Sequence, residues 1–486
     1  MIKLVIYYSL FRYIKNLIIK FKKTIFCYNY INLRKDEFLM LQTVSDGMKL
    51  YNDCLSVINK HNPIHKKIPK FIDTYIKLER LLKTNRIENP QTIKNILVVQ
   101  MNAMGDLILS SGFLRELRKN YPDAHITFVV LGFWYNLAKD CPYVDRVVPC
   151  FAMDHDAYIS MKTSLAFCRD YLWFDEKGNP CQYDLAINSH WGQAGVLGSF
   201  VAWLSTATYR AGFAFDTELR YFKNSHLKVG HFTEQDKYDI ILTHKLNNPL
   251  DILHEVDRRY WLLENIDLLD INLTDKRLEM WITESYPLPN QYNNIAIGLG
   301  ASYNSKKYPA NKLFKALKAI YTDDINFVLF GGFTEIDDVN YLINKFETYN
   351  MHYTNLVDKT SVQETGSAIQ QCKMYVGNDT GVLHMAVAAN KPVISCICEP
   401  KDSIKRAGYG SLSSHARFHP YYGTIKENDK WIECENKAIV LQPEHSLEEC
   451  KTELIHSYCK HVSSSHCITQ IDYKEIVKAF NKLKDW

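Results

Sequence analysis

The sequence lacks several features that would assign it to a common class. It contains no G-x-G-x-x-G fingerprint, which argues against the usual dinucleotide-binding turn. No small-residue cleavage site follows the hydrophobic N-terminus, so a signal peptide is not expected. The longest uncharged run in residues 1–23, Leu4 to Phe11, is too short to span a bilayer. With 13 cysteines, an odd number, and no export signal, we expect a reduced cytoplasmic protein without a disulfide framework.

The first 35 residues contain no acidic side chain. They hold eight Lys or Arg residues among Ile, Leu, Phe and Tyr, and because the whole chain has a net charge of +4, the remainder is slightly acidic. A slightly acidic body argues against nucleic acid as the main ligand. A basic, aromatic-rich segment is typical of a helix in an anionic membrane interface, so residues 1–35 predict peripheral attachment to the inner face of the cytoplasmic membrane. The alternative is a basic helix packed on the protein itself.

What the sequence does contain is a repeated alternation of strands and helices. Asn95–Gln100 and His125–Leu131 predict strands, and Leu107–Tyr121 between them predicts a helix with one apolar face. The alternation restarts at Ile295–Gly300, after the proline-containing segment 284–294. This pattern predicts an α/β protein with two parallel-sheet lobes. We expect a helical N-terminal extension at 1–90, one lobe at 91–287 and a second at 288–486.

The stretch NDTGVLHMAVAANKPVIS, residues 378–395, predicts a strand end, a tight turn and a short helix. Free amides at a helix start bind phosphate, and Gly381 permits close approach of the backbone to a ligand. Asp379 would repel phosphate, so we expect it to contact neutral hydroxyls. His384 lies one turn further and would reach the same pocket. The alternatives are that Asp379 or Thr380 only caps the helix and that His384 is an ordinary buried histidine.

Further candidates follow the first strand of each lobe. Gly105 permits a sharp turn after the first strand, and the carboxylate of Asp106 would take a proton from a hydroxyl nucleophile. An ordinary helix N-cap is the alternative for Asp106. The loop at 300–302 leads to Lys306, whose ammonium would neutralise a phosphate. A solvated loop lysine is the alternative there.

Two patterns resemble metal sites only weakly, and we expect no bound metal. Asp154-His155-Asp156 matches the D-x-D pattern of metal-dependent sugar-nucleotide enzymes, but three-residue matches arise often by chance. A C-terminal group of thiols and imidazoles fits no standard CxxC spacing, so packed thiols are the alternative to zinc. Its members are Cys434, Cys450, Cys459, Cys467, His456, His461 and His466.

Taken in order, these segments resemble glycosyltransferase family 9, the heptosyltransferases of lipopolysaccharide core assembly. The similarity runs from about Asn95 to about Phe480 and includes NILVVQMNAMGDLILSSGFLRELRKNYPDAHITFVV, HEVDRRYWLLENIDL, GLGASYNSKKYP, AGYGSLSSHARFHP and the stretch at 378–395. The resemblance implies a GT-B fold, in which two Rossmann-like lobes face a central cleft. It also implies inverting, metal-independent transfer of heptose from ADP-heptose to a lipid A–Kdo glycolipid acceptor.

The resemblance also implies roles for individual residues. Asp106 matches the general base, Met104 and Gly105 the acceptor-side loop, and Lys306 the residue that neutralises the donor phosphates. The matched donor-binding residues are Ser302, Glu335, Asp379, Thr380, Gly381 and His384. Three alternatives stay open: another nucleotide sugar, another glycan or protein acceptor, and a non-catalytic membrane scaffold.

Overall fold

A computed structural model of the protein describes residues 92–151, 164–175, 181–190, 192–213, 241–247, 249, 252, 254–402, 414–448 and 465–485, with the backbone alone at 192–197 and 414. The predicted N-terminal extension and the Asp154-His155-Asp156 pattern lie outside these residues. So do Cys450, Cys459, His456 and His461 of the C-terminal group. No helix in the described ranges is long and apolar enough to cross a membrane.

The first sheet contains six parallel strands in the order β3-β2-β1-β4-β5-β6. Their bounds are β1 (Asn95–Gln100), β2 (His125–Leu131), β3 (Arg146–Cys150), β4 (Leu185–Asn188), β5 (Tyr209–Phe213) and β6 (His244–Leu246). The central strand β1 is buried from Ile96 onward. Burial on both faces explains its nearly continuous apolar sequence, as is usual in parallel sheets.

The second sheet repeats this arrangement, in the order β14-β11-β10-β7-β8-β9. Its strands are β7 (Asn293–Gly298), β8 (Ile325–Phe330), β9 (Tyr353–Asn355), β10 (Met374–Asn378), β11 (Val393–Cys396) and β14 (Ala438–Leu441). An antiparallel pair, β12 (Thr424–Glu427) and β13 (Lys430–Glu433), lies apart from it. Position for position, β7 corresponds to β1 and β10 to β4. The predicted α/β fold with two Rossmann-like lobes is therefore confirmed.

Eleven α-helices connect these strands within the described residues. They are α1 (Met104–Ile108), α2 (Ser111–Asn120), α3 (Tyr135–Ala138), α4 (Gly192–Leu204), α5 (Glu255–Asn265), α6 (Ala310–Ile320), α7 (Ile336–Thr348), α8 (Val362–Gln370), α9 (Gly381–Ala388), α10 (Ser414–Phe418) and α11 (Tyr473–Leu483). The predicted boundary at residue 287 falls between α5 and β7, so each sheet lies within one predicted lobe.

Two predictions about the first helix are wrong. The single helix expected at Leu107–Tyr121 is divided into α1 and α2, and Met104 and Gly105 open α1 instead of forming a loop. The break lies at Ser110, whose hydroxyl donates a hydrogen bond to the carbonyl of Asp106 at 2.7 Å. A serine hydroxyl that bonds a carbonyl one turn back bends a helix. The bend leaves α1 as a short helix that carries Asp106.

One apolar cluster joins the two lobes and fixes the position of the site. It contains Phe113 and Leu117 of α2, Tyr260 of α5, and Leu383 and Ala386 of α9, all at most 1% exposed. Helices of both lobes therefore share one buried core, and α1 and α9 pack directly against each other. Burial of this size costs several kcal/mol to undo, so the two carboxyl-terminal sheet edges are held facing each other.

Candidate active site

A cavity of about 440 Å³ lies at the carboxyl ends of the central strands of both sheets. In doubly wound sheets of this order, ligands bind where the strand order reverses, which is between β1 and β4 and between β7 and β10. The lining follows this rule, because most of it comes from the segments after β1, β7, β8 and β10. The lining residues include Ala103, Met104, Gly105, Asp106, Trp134, Gly300, Ala301, Ser302, Gly331, Gly332, Asp379, Thr380, Gly381, Val382, His384 and Phe418.

Asp106 reaches the cavity from the first turn of α1. The N-cap residue of this helix is Ala103, so the alternative that Asp106 is the N-cap is wrong. The side chain of Asp106 is 13% exposed, and its Oδ1 accepts a charge-assisted hydrogen bond from Nη2 of Arg259 at 3.1 Å. A partly dry carboxylate beside a cavity is suited to accepting a proton from a bound hydroxyl.

Helices α1 and α9 approach each other closely, and a glycine lies at the contact on each side. A Cβ added to Gly105 would lie 2.8 Å from Cδ2 of His384. A Cβ added to Gly381 would overlap Cε of Met104 and lie 3.3 Å from the backbone nitrogen of Gly105. The two glycines therefore bring the helix that carries Asp106 into contact with the helix predicted to bind the donor.

The start of α9 presents backbone amides that no side chain caps. Thr380 occupies the N-cap position but accepts no hydrogen bond from the helix, so the simple capping alternative is wrong for its side chain. Its buried Oγ1 has no hydrogen-bond partner in the described part of the chain. Thr380, Gly381 and Val382 line the cavity. Uncapped amides at a helix start, with their partial positive charge, form a site for a phosphate group.

His384 and Asp379 flank this helix start. His384 is 3% exposed, and its Nδ1 has no hydrogen-bond partner among the described residues. Burial lowers the pKa of His384 below its usual value, although the carboxylates of Asp379 and Asp106 oppose this effect. At neutral pH the imidazole is therefore uncharged and is able to exchange hydrogen bonds with a neutral sugar hydroxyl.

Asn378 organises the donor side, a role that the sequence reading did not assign to it. Its Oδ1 accepts a hydrogen bond from the backbone nitrogen of Tyr308 at 2.9 Å, and its Nδ2 donates to the carbonyls of Leu299 and Gly300 at 2.9 and 3.3 Å. These bonds tie the end of β10 to the loop after β7. The buried amide therefore fixes the loop that carries Ser302, an exposed residue of the cavity wall.

Neither Glu335 nor Lys306 lines the cavity, but Glu335 contacts residues that do. Glu335 is 3% exposed; its Oε2 accepts from the backbone nitrogen of Gly332 at 2.9 Å and its Oε1 pairs with Nζ of Lys307 at 2.8 Å. Glu335 thus shapes the cavity-lining turn at Gly331 and Gly332. The ammonium of Lys306 makes no hydrogen bond or ion pair within the described ranges. Of the two adjacent lysines, Lys306 is the one available to a ligand.

A buried charge network next to Asp106 was also missed. Glu255 of α5 is 1% exposed and pairs with Nε of Arg417 at 2.7 Å and with Nη1 of Arg259 at 3.7 Å. Burial opposes ionisation of Glu255, but the guanidinium groups of Arg417, Arg259 and Arg258 outweigh it and hold the pKa of Glu255 well below its usual range. The segment HEVDRRY at 254–260 contains this charge pattern, but its spacing alone does not show which partners it meets.

Asp106, His190 and Glu255 each place one possible metal-ligating atom within 4.8 Å of the others. Burial lowers the pKa of His190 to about 4 despite the nearby Asp106 and Glu255, so the ring is neutral at pH 7. However, Arg259 already bonds Asp106 and Arg417 already bonds Glu255. The negative charge that would attract a cation is thus compensated by guanidinium groups.

Comparisons with known proteins agree with this geometry. A model of glycosyltransferase family 9 (heptosyltransferase) matches residues 180–399. Lipopolysaccharide heptosyltransferase 1 of Campylobacter coli is 22% identical over 312 residues, which is 62% of this chain and 82% of that protein. Two solved structures are similar in fold. The family 9 glycosyl transferase of Veillonella parvula has a TM-score of 0.58 at 19% identity, covering 81% of this chain and 97% of that one. Escherichia coli ADP-heptose lipopolysaccharide heptosyltransferase II has a TM-score of 0.53 at 16% identity, covering 80% and 98%.

The two facing lobes give the chain a fold of the GT-B type. The family model and the relatives support a glycosyltransferase enzyme. The match to the family 9 model and the relatives named as heptosyltransferases support the resemblance to glycosyltransferase family 9 seen in the sequence.

Proposed function

We propose that this enzyme transfers heptose from ADP-heptose to a hydroxyl of a lipopolysaccharide core acceptor, with inversion at the anomeric carbon and without a metal ion. One observation carries the proposal: a single cavity brings together the carboxylate of Asp106 from one lobe and the uncapped start of α9 from the other. The relatives support the choice of sugar and acceptor, since the Campylobacter coli and Escherichia coli proteins are named as lipopolysaccharide heptosyltransferases.

The proposed reaction divides the work between the two lobes. Asp106 accepts the proton of the acceptor hydroxyl through its Oδ2, while that oxygen forms a bond to the anomeric carbon from the face opposite the diphosphate. The bond from the anomeric carbon to the diphosphate oxygen breaks, and ADP leaves with that electron pair. The amides of Thr380 and Gly381 and the ammonium of Lys306 stabilise the charge that develops on the leaving group. Asp379 and His384 bind sugar hydroxyls.

Nucleotide binding tests the donor assignment. We expect calorimetry with ADP, UDP, GDP and CDP to show selective binding of ADP that is the same with magnesium and with a chelator, because backbone amides and Lys306 replace the metal charge. The same preparation is then tested for transfer from ADP-heptose. Preference for another nucleotide would replace the proposed donor. Binding that requires magnesium would refute metal independence.

The adjacent lysines provide a matched pair for testing the donor side. We expect Lys306→Met to lower kcat/KM by about 10- to 100-fold with little loss of stability, because a charged hydrogen bond to the leaving group is removed. Lys307→Met should instead destabilise the fold by about 3 kcal/mol, because it leaves the buried Glu335 without its cation. Kinetics and thermal unfolding of both variants separate the effects. Full activity of Lys306→Met would show that Lys306 does not contact the donor.

The basic residues at 1–35 are proposed to attach the enzyme to an anionic membrane surface, where a glycolipid acceptor lies. The proposal rests on the charge of this segment, eight basic residues with no acidic one. We expect deletion of residues 1–35 to abolish sedimentation with vesicles that contain phosphatidylglycerol. We expect the full chain not to sediment with neutral vesicles. Equal sedimentation of the truncated and full chains with anionic vesicles would contradict it.

A further inference from the structure

We infer that Arg259 is a positioning residue for Asp106, and that Glu255 with Arg417 holds Arg259 in place. The inference rests on the proposed role of Asp106 as the base, and it adds a group that the sequence motifs leave without a function. Arg259 is fully buried in α5, 153 residues away from Asp106 in sequence. It does not line the cavity, so it would act only through the carboxylate.

The contact with Arg259 gives the two carboxylate oxygens of Asp106 different roles. Oδ1 is bonded by Nη2 of Arg259, whereas Oδ2 forms no hydrogen bond or ion pair with any described residue. A carboxylate fixed by one oxygen presents the other in a defined direction. Because Asp106 lines the cavity, its Oδ2 is the oxygen available to the acceptor hydroxyl. A base that is held in one orientation gives a faster reaction than a mobile one, because small misplacements reduce rates strongly.

Arg259 is itself held from two directions. Its Nη1 donates to the backbone carbonyl of Glu255 at 2.9 Å, one turn back in α5, and lies 3.7 Å from the Glu255 carboxylate. The other oxygen of that carboxylate accepts a hydrogen bond from Arg417 at 2.7 Å. A buried ionised group is stable only when its charge and hydrogen bonds are satisfied, so each member of the series fixes the next.

Arg417 belongs to α10, which is 162 residues away from Glu255 in sequence. The segment after α10 is anchored on the same helix, because Tyr421 donates to Asp257 at 2.8 Å and Nε2 of His254 lies 3.0 Å from the carbonyl of His419. The C-terminal part of the chain, which also supplies the donor-binding α9, therefore holds the support of the base. This arrangement makes the orientation of Asp106 depend on correct packing of both halves.

The test is a double-mutant cycle between Arg259→Met and Asp106→Asn, followed as kcat and donor KM across pH. The titratable or charged groups that face Asp106 are Arg259 and Glu255 of α5, His190 after β4, and Asp379 and His384 at α9. We expect Arg259→Met to lower kcat at least about tenfold with little change in donor KM. In the Asp106→Asn background the same change should cost nothing further.

Arg258→Met is the matched control, since Arg258 is equally buried in the same helix but makes no hydrogen bond or ion pair with Asp106. It should lower kcat much less than Arg259→Met does. Arg259→Lys, which keeps the charge and loses the planar fork, should restore only part of kcat, and it replaces Arg259→Met in the test if Arg259→Met does not fold. Additive losses in the cycle, or an undiminished kcat in Arg259→Met, would overturn the inference.

Failure of the proposed function gives a different result. If transfer proceeds from another donor, the cycle is run with that donor and the expectation for Arg259 is the same. If no donor supports transfer, a crystal structure of Arg259→Lys or Arg259→Met decides. Displacement of the Asp106 carboxylate supports positioning by Arg259, and an unchanged carboxylate overturns it.

Discussion

Replacing Asp106 by Asn is expected to reduce kcat by about 10³-fold while leaving ADP binding unchanged. The amide is nearly the same size as the carboxylate but accepts a proton far less readily, so the loss reports general-base catalysis, which contributes about 10²- to 10⁴-fold. Nucleotide affinity should persist because the expected phosphate contacts come from the start of α9 and from Lys306. Steady-state kinetics with ADP-heptose, together with calorimetry of ADP, measures both quantities.

The matched control for this substitution is Asp123→Asn, an exposed aspartate of the same lobe that lies before β2. It should retain the kinetics of the unmodified enzyme. Asp106→Asn also removes one partner of Arg259, so its thermal unfolding must be compared with that of Asp123→Asn. Transfer at an undiminished rate by a folded Asp106→Asn enzyme would show that another group takes the proton.

Replacing Gly381 by Val is expected to lower kcat/KM by about 100-fold or more. The new side chain would overlap Cε of Met104 and press on the backbone of Gly105, which separates α9 from α1. These helices carry the proposed donor-binding amides and the proposed base, and misplacement by about 1 Å costs about 100-fold in rate. The overpacked contact should also cost about 1–3 kcal/mol of stability. Kinetics and thermal unfolding together measure the effect.

A compensating substitution makes this prediction specific. Met104→Ala removes the side-chain atoms nearest to Gly381 and leaves the backbone of Gly105 in place. Combined with Gly381→Ala, the smaller Cβ addition, it should recover most of the activity that Gly381→Ala alone loses. Absence of any loss in Gly381→Ala and Gly381→Val alike would mean that the two helices are not in contact during catalysis.

The local elements of this enzyme were largely predictable, because they depend on residues close together in sequence. The apolar runs at Ile96–Val99 and Met374–Val376 indicate buried strands. The turn that follows each run indicates the start of a helix at the edge of the sheet where ligands bind. The division of the first helix was not predictable from its apolar period. That period continues through Ser110, and only the hydrogen bond to the carbonyl of Asp106 marks the break.

Several site assignments required the tertiary structure. Nothing in the pair Lys306-Lys307 distinguishes the lysine that is free for a ligand from the one that neutralises Glu335. The choice depends on the backbone direction in the short helical turn that ends at Lys306. In the same way, the adjacent residues Arg258 and Arg259 cannot be distinguished in the sequence. The orientation of α5 about its axis places Arg259, and not Arg258, in contact with Asp106.

Periodicity and short motifs, which act over a few residues, were enough to predict two repeated α/β lobes and the segments that meet at their carboxyl-terminal edges. The same motifs carry the resemblance to glycosyltransferase family 9. Folding in three dimensions was needed to show that glycines on α1 and α9 bring the two lobes into contact and that Asp106 is bonded by a buried arginine. Such contacts join residues more than 150 positions apart, and they depend on how whole helices pack, which no local pattern encodes.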